Sequence, residues 1–391
     1  VEAEELKALV ISEVDAHSSQ LSVLSSSIHA HPETCFKETK AAAWLGQYLT
    51  ENGFSIEKGV CGLPTAFRAS YGQGKPEIAI LAEYDALPGL GHACGHNIIA
   101  ACAVGAAVAV RPAIDRLGGE VIVIGTPAEE TGGGKIIMAN QGAFADVDIA
   151  MMVHPGVQNC AAIQALACQV LEVEFQGKAV HAATRPEAGI NALEAMLQSF
   201  NAINSLRQHI RDKARIHGII TDGGQAANIV PDHSAATFIV RAEDDTYLDE
   251  LKQKLINCFI GAATASGARL KYHWQGTPYA PMRNNLTLAR LFQQNMESLG
   301  RKMGKTGSSD AAFSTDMGNV SQQVPSIHPM VAIAPEEISL HSPQFASAAA
   351  SDEGSRAILD AAKALAMTAV DLLANPAKVA EVKAEFYRKD K

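Results

Sequence analysis

Val121-Ile122-Val123-Ile124-Gly125-Thr126-Pro127-Ala128-Glu129-Glu130-Thr131-Gly132-Gly133-Gly134 is the stretch on which the reading of the fold turns. Its first four residues form a short apolar run of the kind found in a strand buried on both faces. A loop with two adjacent acids and three glycines follows directly. Open α/β sheets place their chemistry at the carboxyl ends of strands. Glu129 and Glu130 therefore stand where a site is expected. One carboxylate is available to hold a metal while its neighbour moves a proton. The same pair on an exposed helix would simply be solvated.

Working outward, similar runs predict strands over 78–81 and 149–153. Helices are predicted over 4–29, where Leu21, Leu24 and Ile28 share one face, over 39–52, stopping at Gly53, and over 97–110, ended by Arg111-Pro112. Strands alternating with helices indicate a mostly parallel sheet sandwiched by helices. The pattern then changes. Residues 168–175 alternate apolar and polar, helices read over 188–210 and 248–266, and strands over 215–221, 235–241 and 270–274. Strands buried on one face, with two helices, indicate an inserted α+β domain. From Pro281 the first pattern resumes, with helices over 285–299 and 355–373. The expected division is a catalytic domain of 1–167 and 279–391 interrupted by an inserted domain over 168–278.

Composition narrows the function. The 391 residues are 47% hydrophobic and only 5% aromatic, enough for sizeable cores of small aliphatic residues. The formal net charge is -10, with no basic stripe, so neither nucleic acid nor an anionic membrane is an expected partner. No uninterrupted run of 18 apolar residues predicts a membrane span. The acidic start, Val1-Glu2-Ala3-Glu4-Glu5, carries no signal-peptide pattern. Seven scattered cysteines without a C-x-x-C spacing fit a reducing compartment, and a cytoplasmic location is the expectation.

A second cluster lies between the strand over 78–81 and the helix that follows it. Glu83, Asp85, His92, Cys94 and His96 fall within 14 positions, and zinc accepts N, S and O donors together. Cys94 and His96, two apart, can face the same side of an extended loop. His154 follows the strand over 149–153, and His341 lies in the loop Leu340-His341-Ser342-Pro343. Any one histidine is more often structural than ligating. Four donor-bearing segments meeting at strand ends would make a two-metal site of Cys94, His96, Glu130, His154 and His341. The glycines before Lys135 do not make a phosphate loop, because no Ser or Thr follows the lysine and the first glycine of that pattern is missing.

These motifs resemble those of the co-catalytic zinc metallopeptidases and amidohydrolases, within them the branch of hippurate hydrolase, auxin-conjugate hydrolase and aminobenzoyl-glutamate hydrolase, with members of the β-alanyl-lysine dipeptidase type nearest. The resemblance runs from His29-Ala30-His31-Pro32-Glu33 through Glu83-Tyr84-Asp85-Ala86-Leu87-Pro88, the 92–97 loop, Pro127-Ala128-Glu129-Glu130, Gly177-Lys178-Ala179-Val180-His181, Gly223–Pro231 and Asp316-Met317-Gly318 to the His341 loop. It implies a zinc-exopeptidase-like catalytic domain with an inserted ferredoxin-like lid and dimerisation domain. It implies two divalent ions, zinc with manganese as the alternative, with Cys94 bridging them. Glu129 would be the general base and Asp85 the acid that orients a ligand histidine. The position of a ligand histidine elsewhere in the superfamily holds Glu83 here, and Asn97 stands where other relatives carry Asp. His181 would reach the partner subunit's site in a homodimer and stabilise the oxyanion, with Asn228 and Arg241 on the substrate. The implied activity is hydrolysis of the amide bond of small N-acyl amino acids or dipeptides by a metal-activated water. Two rival readings stand beside it: a silent small-molecule binding member, and a cysteine hydrolase in which Cys94 attacks with His96 or His92 as base.

Overall fold

The computed structural model describes residues 2–304 and 313–388. The chain divides into two compact units, one of Val1–Gln164, Met282–Asp310 and Asn319–Lys391, the other of Ala165–Pro281 and Ala311–Gly318.

The first unit opens with α1 (Glu2–Ala16) and α2 (Ser18–Ala30), where the sequence predicts one helix over 4–29. The division falls at His17, where ψ opens to 0° and the imidazole turns to Tyr48 and Gln20. Next comes α3 (Thr39–Glu51). The Glu33 carboxylate accepts the N–H groups of Lys40 and Ala41 at its start, a negative charge where the helix dipole favours one. There follow β1 (Ser55–Lys58), β2 (Phe67–Gln73), β3 (Glu77–Glu83), α4 (His96–Leu117), β4 (Gly119–Thr126), α5 (Gly134–Asn140), β5 (Ile149–Met151) and β6 (His154–Gly156). α4 runs past the expected stop at Arg111-Pro112 and ends at Gly118. It is long and apolar enough to cross a membrane by composition, although Arg111 interrupts its apolar run. Here it is a core helix, packed on β3 and β4 and against α1 and α2. Its alanines and Gly105 allow this close approach, and a Cβ on Gly105 would stand 2.6 Å from Leu21.

The second unit is built in the order β7 (Ala167–Gln176), α6 (Ala192–Leu206), β8 (Arg215–Asp222), β9 (His233–Ala242), α7 (Asp245–Ser266) and β10 (Arg269–Trp274). Its four strands lie in the order β10-β7-β9-β8, every pair antiparallel. This βαββαβ connectivity is the ferredoxin-like arrangement. Ser234, Ala236, Phe238, Val240 and Ala242 of β9 are buried while the residues between them are partly exposed. Phe238 of β9 and Phe259 of α7 meet edge to face in the core between the sheet and the helices. Asn191 and Asp244 cap α6 and α7 through their side chains, so both helices start later or earlier than apolar periodicity alone indicates. The unit is wider than the expected 168–278. Leu166 donates to the Phe313 carbonyl, and Cys168 and Tyr279 exchange two backbone hydrogen bonds, binding both ends and the 313–318 stretch into one body.

The rest of the chain carries α8 (Leu286–Ser298), α9 (Met317–Ser321), whose first two residues fall in the second unit, β11 (Ser326–Ile327), β12 (Met330–Ala332), α10 (Pro343–Ala348), α11 (Asp352–Ala374) and α12 (Pro376–Tyr387). The main sheet of the first unit has the order β1-β2-β4-β3-β5-β11. The β4-β3-β5-β11 part is parallel, while β1 and β2 join it antiparallel. β6 and β12 form a separate parallel ladder. β3 and β4 bury nearly every side chain, as their apolar runs require.

Candidate metal centre

Each candidate donor is placed by the end of a regular element. β3 runs out at Glu83, and the loop after it carries Asp85 and Cys94 before α4 starts at His96. Gly95 makes that start possible. Its φ is +79°, and a Cβ there would stand 2.5 Å from Pro155 Cγ. β4 delivers Glu129 and Glu130 through Ala128, a non-glycine residue at φ +61° whose N–H is held by the buried Glu38 carboxylate at 3.0 Å. The sequence predicts His154 just beyond a strand over 149–153. Instead β5 stops at Met151, and His154 opens β6, where its N–H bonds to the Pro329 carbonyl. His341, at φ +59°, is tied to the Cys94 loop by its N–H on the Ala93 carbonyl.

These segments bring the donors together. One ligand atom each of Cys94, His96 and His154 lies within 4.8 Å of the others, and the same holds for Cys94, Glu130 and His341. Cys94 is common to both groups. His96, Glu129 and Glu130 form a third such group, so the second acid of the pair stands beside the donors. Cys94 Sγ is 3.4 Å from His154 Nε2, and His341 Nε2 is 3.4 Å from Glu130 Oε2. Ligands about 2.0–2.3 Å from one tetrahedral ion are about 3.3–3.7 Å apart. The spacing suits a shared ion better than direct hydrogen bonds.

The histidines are preset for that role. His96 Nδ1 meets Asp85 Oδ1 at 3.0 Å, and His154 Nδ1 meets the Pro155 carbonyl at 2.6 Å. Both partners only accept, so each Nδ1 carries a proton and each Nε2 is left to face the other donors. His96 Nε2 and Glu130 Oε1 are buried without a hydrogen-bond partner, a costly state that a cation would relieve. The second Asp85 oxygen accepts the Glu130 N–H at 3.0 Å, so one buried carboxylate fixes both a histidine ring and the acidic loop.

Charge follows geometry. Burial disfavours the Asp85 carboxylate, but the adjacent His96 ring, the Glu130 N–H and Lys135 outweigh it and hold the pKa below the ordinary range. Burial likewise disfavours the His96 cation, yet Asp85 and the Cys94 sulfur raise its pKa well above 6.5. Burial and the His96 charge bring His154 down to about 4. Burial, then Glu130, pushes the Cys94 thiol well above 9.0. Burial raises Glu130, but His341 and His96 overcome it and leave it low.

The remaining candidates lie in the inserted unit. His181 and Ile229 form a β-bridge, and Ala182 donates to the Asn228 carbonyl, so His181 and Asn228 are neighbours, both exposed. The Ala183 N–H donates to His181 Nδ1, which leaves the proton on the exposed Nε2. Arg241 sits toward the other end of β9, its guanidinium on Ser314 Oγ at 2.7 Å. At about 3.4 Å per residue the strand from His233 to Arg241 spans about 27 Å, so within this unit Arg241 is remote from the His181–Asn228 corner.

Sequence reasoning does not find the other contributors. Glu38 braces the acidic loop. Lys135, which the sequence offers only as part of a failed phosphate loop, is fully buried with Nζ 2.5 Å from Glu83 Oε1. His328 stacks against His154 at 5.5 Å between ring centroids. Asn97 is a structural tie, donating to Ser25 Oγ and the Ala349 carbonyl. None of these has a local signal, because each partner is far away in sequence.

Comparison with known proteins gives a consistent picture. A profile described as a peptidase dimerisation domain matches residues 170–262, within the inserted unit. The chain is 38% identical to the Xaa-Arg dipeptidase of Mus musculus over 405 residues, covering 98% of this chain and 93% of that protein. It is 33% identical to one of the p-aminobenzoyl-glutamate hydrolase polypeptides of Escherichia coli, covering 76% of this chain and 66% of that protein. Among solved structures, a Bacillus subtilis protein described as a dinuclear metal binding peptidase from the M20 family superposes with a TM-score of 0.71 at 21% identity, covering 92% of this chain and 99% of that one.

Proposed function

This chain belongs to the M20 family of peptidases and amidohydrolases, and from that premise we propose that it is a metal-dependent dipeptidase. The observation that carries the reading is the pair of donor groups sharing Cys94, with the Glu129 carboxylate beside them. Cys94, His96 and His154 would hold one divalent ion, and Cys94, Glu130 and His341 the other. The soft sulfur and imidazole donors suit zinc, with manganese as the alternative. When bound, such ions supply Lewis acidity and make water acidic enough to be a nucleophile near neutral pH.

The residues of the chain do the rest. Glu129 takes the proton from the attacking water and returns it to the leaving amine. Glu130 would be committed to holding an ion, which would leave it too weak a base for both tasks. Asp85 keeps the His96 lone pair directed inward. The His181 Nε2–H is a ready donor to the oxygen of the tetrahedral intermediate. Because Arg241 sits toward the far end of β9 from the loop that carries Asn228 and pairs with His181, we assign His181 and Asn228 to one subunit's site and Arg241 to the other's in a homodimer. The dimer would form through the β8 edge, where Ile219 and Ile220 are exposed. Arg241 then pairs with the substrate carboxylate through its bidentate fork. Similarity to the mouse Xaa-Arg dipeptidase and the net charge of -10 favour dipeptides ending in a basic residue.

Glu129→Gln tests the mechanism. It should keep its metal content and lose roughly two to four orders of magnitude in kcat on a β-alanyl or glycyl dipeptide ending in Lys or Arg. Full turnover in this variant would overturn the assignment. One arrangement favours a second reading, since Cys94, His96 and Asp85 follow the order of nucleophile, base and orienting acid. Against it, the thiol is buried and its pKa is raised rather than lowered. Activity that survives chelation but not thiol alkylation would establish the cysteine route.

A further inference from the structure

Glu83 and Lys135 form a buried ion pair directly behind the donor atoms. Both side chains are fully buried, and their charged atoms are 2.5 Å apart. The other Glu83 oxygen, Oε2, stands 3.5 Å from His96 Nε2, the nitrogen that faces the centre. That is the separation of two ligands on one ion, so geometry alone would admit Glu83 as a further ligand. Lys135 changes its chemistry. An ammonium on one oxygen draws negative charge off the carboxylate, and a buried lysine can remain there only with such a partner.

We propose that Lys135 is a positioning residue that holds Glu83 out of the metal shell. The pair acts as an internal counter-ion unit. It leaves the donor set at Cys94, His96, Glu130, His154 and His341, and keeps a surplus carboxylate from lowering the Lewis acidity of the ions. This extends the two-metal reading, on which it rests. The assignment accounts for an acid beside ligands that is itself paired with a cation, and for the lysine at the start of α5, which reaches back across the parallel pair β3-β4 to the end of β3.

The pair makes a prediction of opposite signs, measured by competition with a chromophoric chelator on the purified full-length protein. Lys135→Met frees Glu83 for the ion and should raise zinc affinity by about tenfold. Glu83→Gln leaves a buried ammonium near the ions and should lower affinity by about 10–100-fold. The double variant replaces the pair with neutral groups and should return affinity to within a few-fold of the parent. The cobalt-substituted proteins report coordination directly. The double variant should keep the parent's visible spectrum, and Lys135→Met should shift it toward higher coordination. A merely structural pair would lower affinity in both single variants alike, and that result overturns the proposal. Should the single variants not fold, the double variant decides. A parental cobalt spectrum supports exclusion of Glu83, and an altered one shows that Glu83 is a ligand and refutes it. If the parent itself binds no metal, the two-metal reading fails first, and the two failures remain distinguishable.

Discussion

Nδ1 of His96 and Nδ1 of His154 are both engaged by acceptors, so the two rings are oriented, with Nε2 left for the centre, before any ion arrives. Their protonation differs. His154, down at about 4, is neutral at pH 7, whereas His96, raised above 6.5 by Asp85, keeps a proton when no cation is present. The Cys94 thiol, raised above 9.0 by burial and Glu130, does the same. Filling the centre must displace both protons, so loading the pair of ions should release about two in all at pH 7, and affinity should rise with pH. Calorimetry in buffers of different ionisation enthalpy measures this number. Release near zero would show that the donors are already deprotonated, and that these charges do not govern the site.

At the level of elements, Asp148 shows how the sheet is fastened. It precedes β5, accepts the Glu77 N–H at the start of β3, and meets Lys383 of α12 at 2.5 Å and Lys75 at 3.3 Å. Burial opposes its charge, but Lys383 and the Glu77 N–H prevail and its pKa is depressed. A depressed carboxylate contributes stability in full above the ordinary carboxylate range, and loses it as pH falls through the native value. Asp148→Asn should therefore cost about 1–3 kcal/mol at pH 7, with the deficit closing in acid, as read by urea denaturation at several pH values. β3 and β4 are legible in the sequence because a strand buried on both faces needs an unbroken apolar run. β1 and β2 are not. Ser55-Ile56-Glu57-Lys58 is a polar edge, and only pairing with β4 through β2 makes it a strand. β6, β11 and β12 are ladders of two or three residues that exist only through the tertiary fold. The candidate donors Cys94, His96, Glu129 and Glu130 are legible for the complementary reason, since each stands beside the end of a strand or helix that sequence does mark, whereas β6 and α10, beside His154 and His341, are not marked. Glu38, Lys135 and His328 act across long separations, where no local pattern exists.

For the whole molecule, the proposed dimer makes the inserted unit part of the catalyst. β8 is an edge strand with Ile219 at 66% and Ile220 at 37% exposure, a template for pairing with another strand. Replacing both isoleucines with aspartate should yield a monomer in sedimentation equilibrium. That monomer should keep its metal and lose most turnover, because His181 would no longer reach the second site. An active monomer would refute the exchange of residues between subunits. The bridge between Cys168 and Tyr279 has a separate consequence for the history of such a chain. Apart from the 313–318 stretch that also belongs to its unit, the 168–279 segment begins and ends at two antiparallel neighbours about 5 Å apart, so its removal leaves a gap no wider than a tight turn. Every proposed metal donor lies in the first unit. Excising 168–279 and closing the gap with a short glycine linker should leave a folded metal-binding protein without peptidase activity. A segment whose two ends lie side by side can also be exchanged. One metal-holding frame can thus acquire new substrates by changing its insert while its chemistry stays the same.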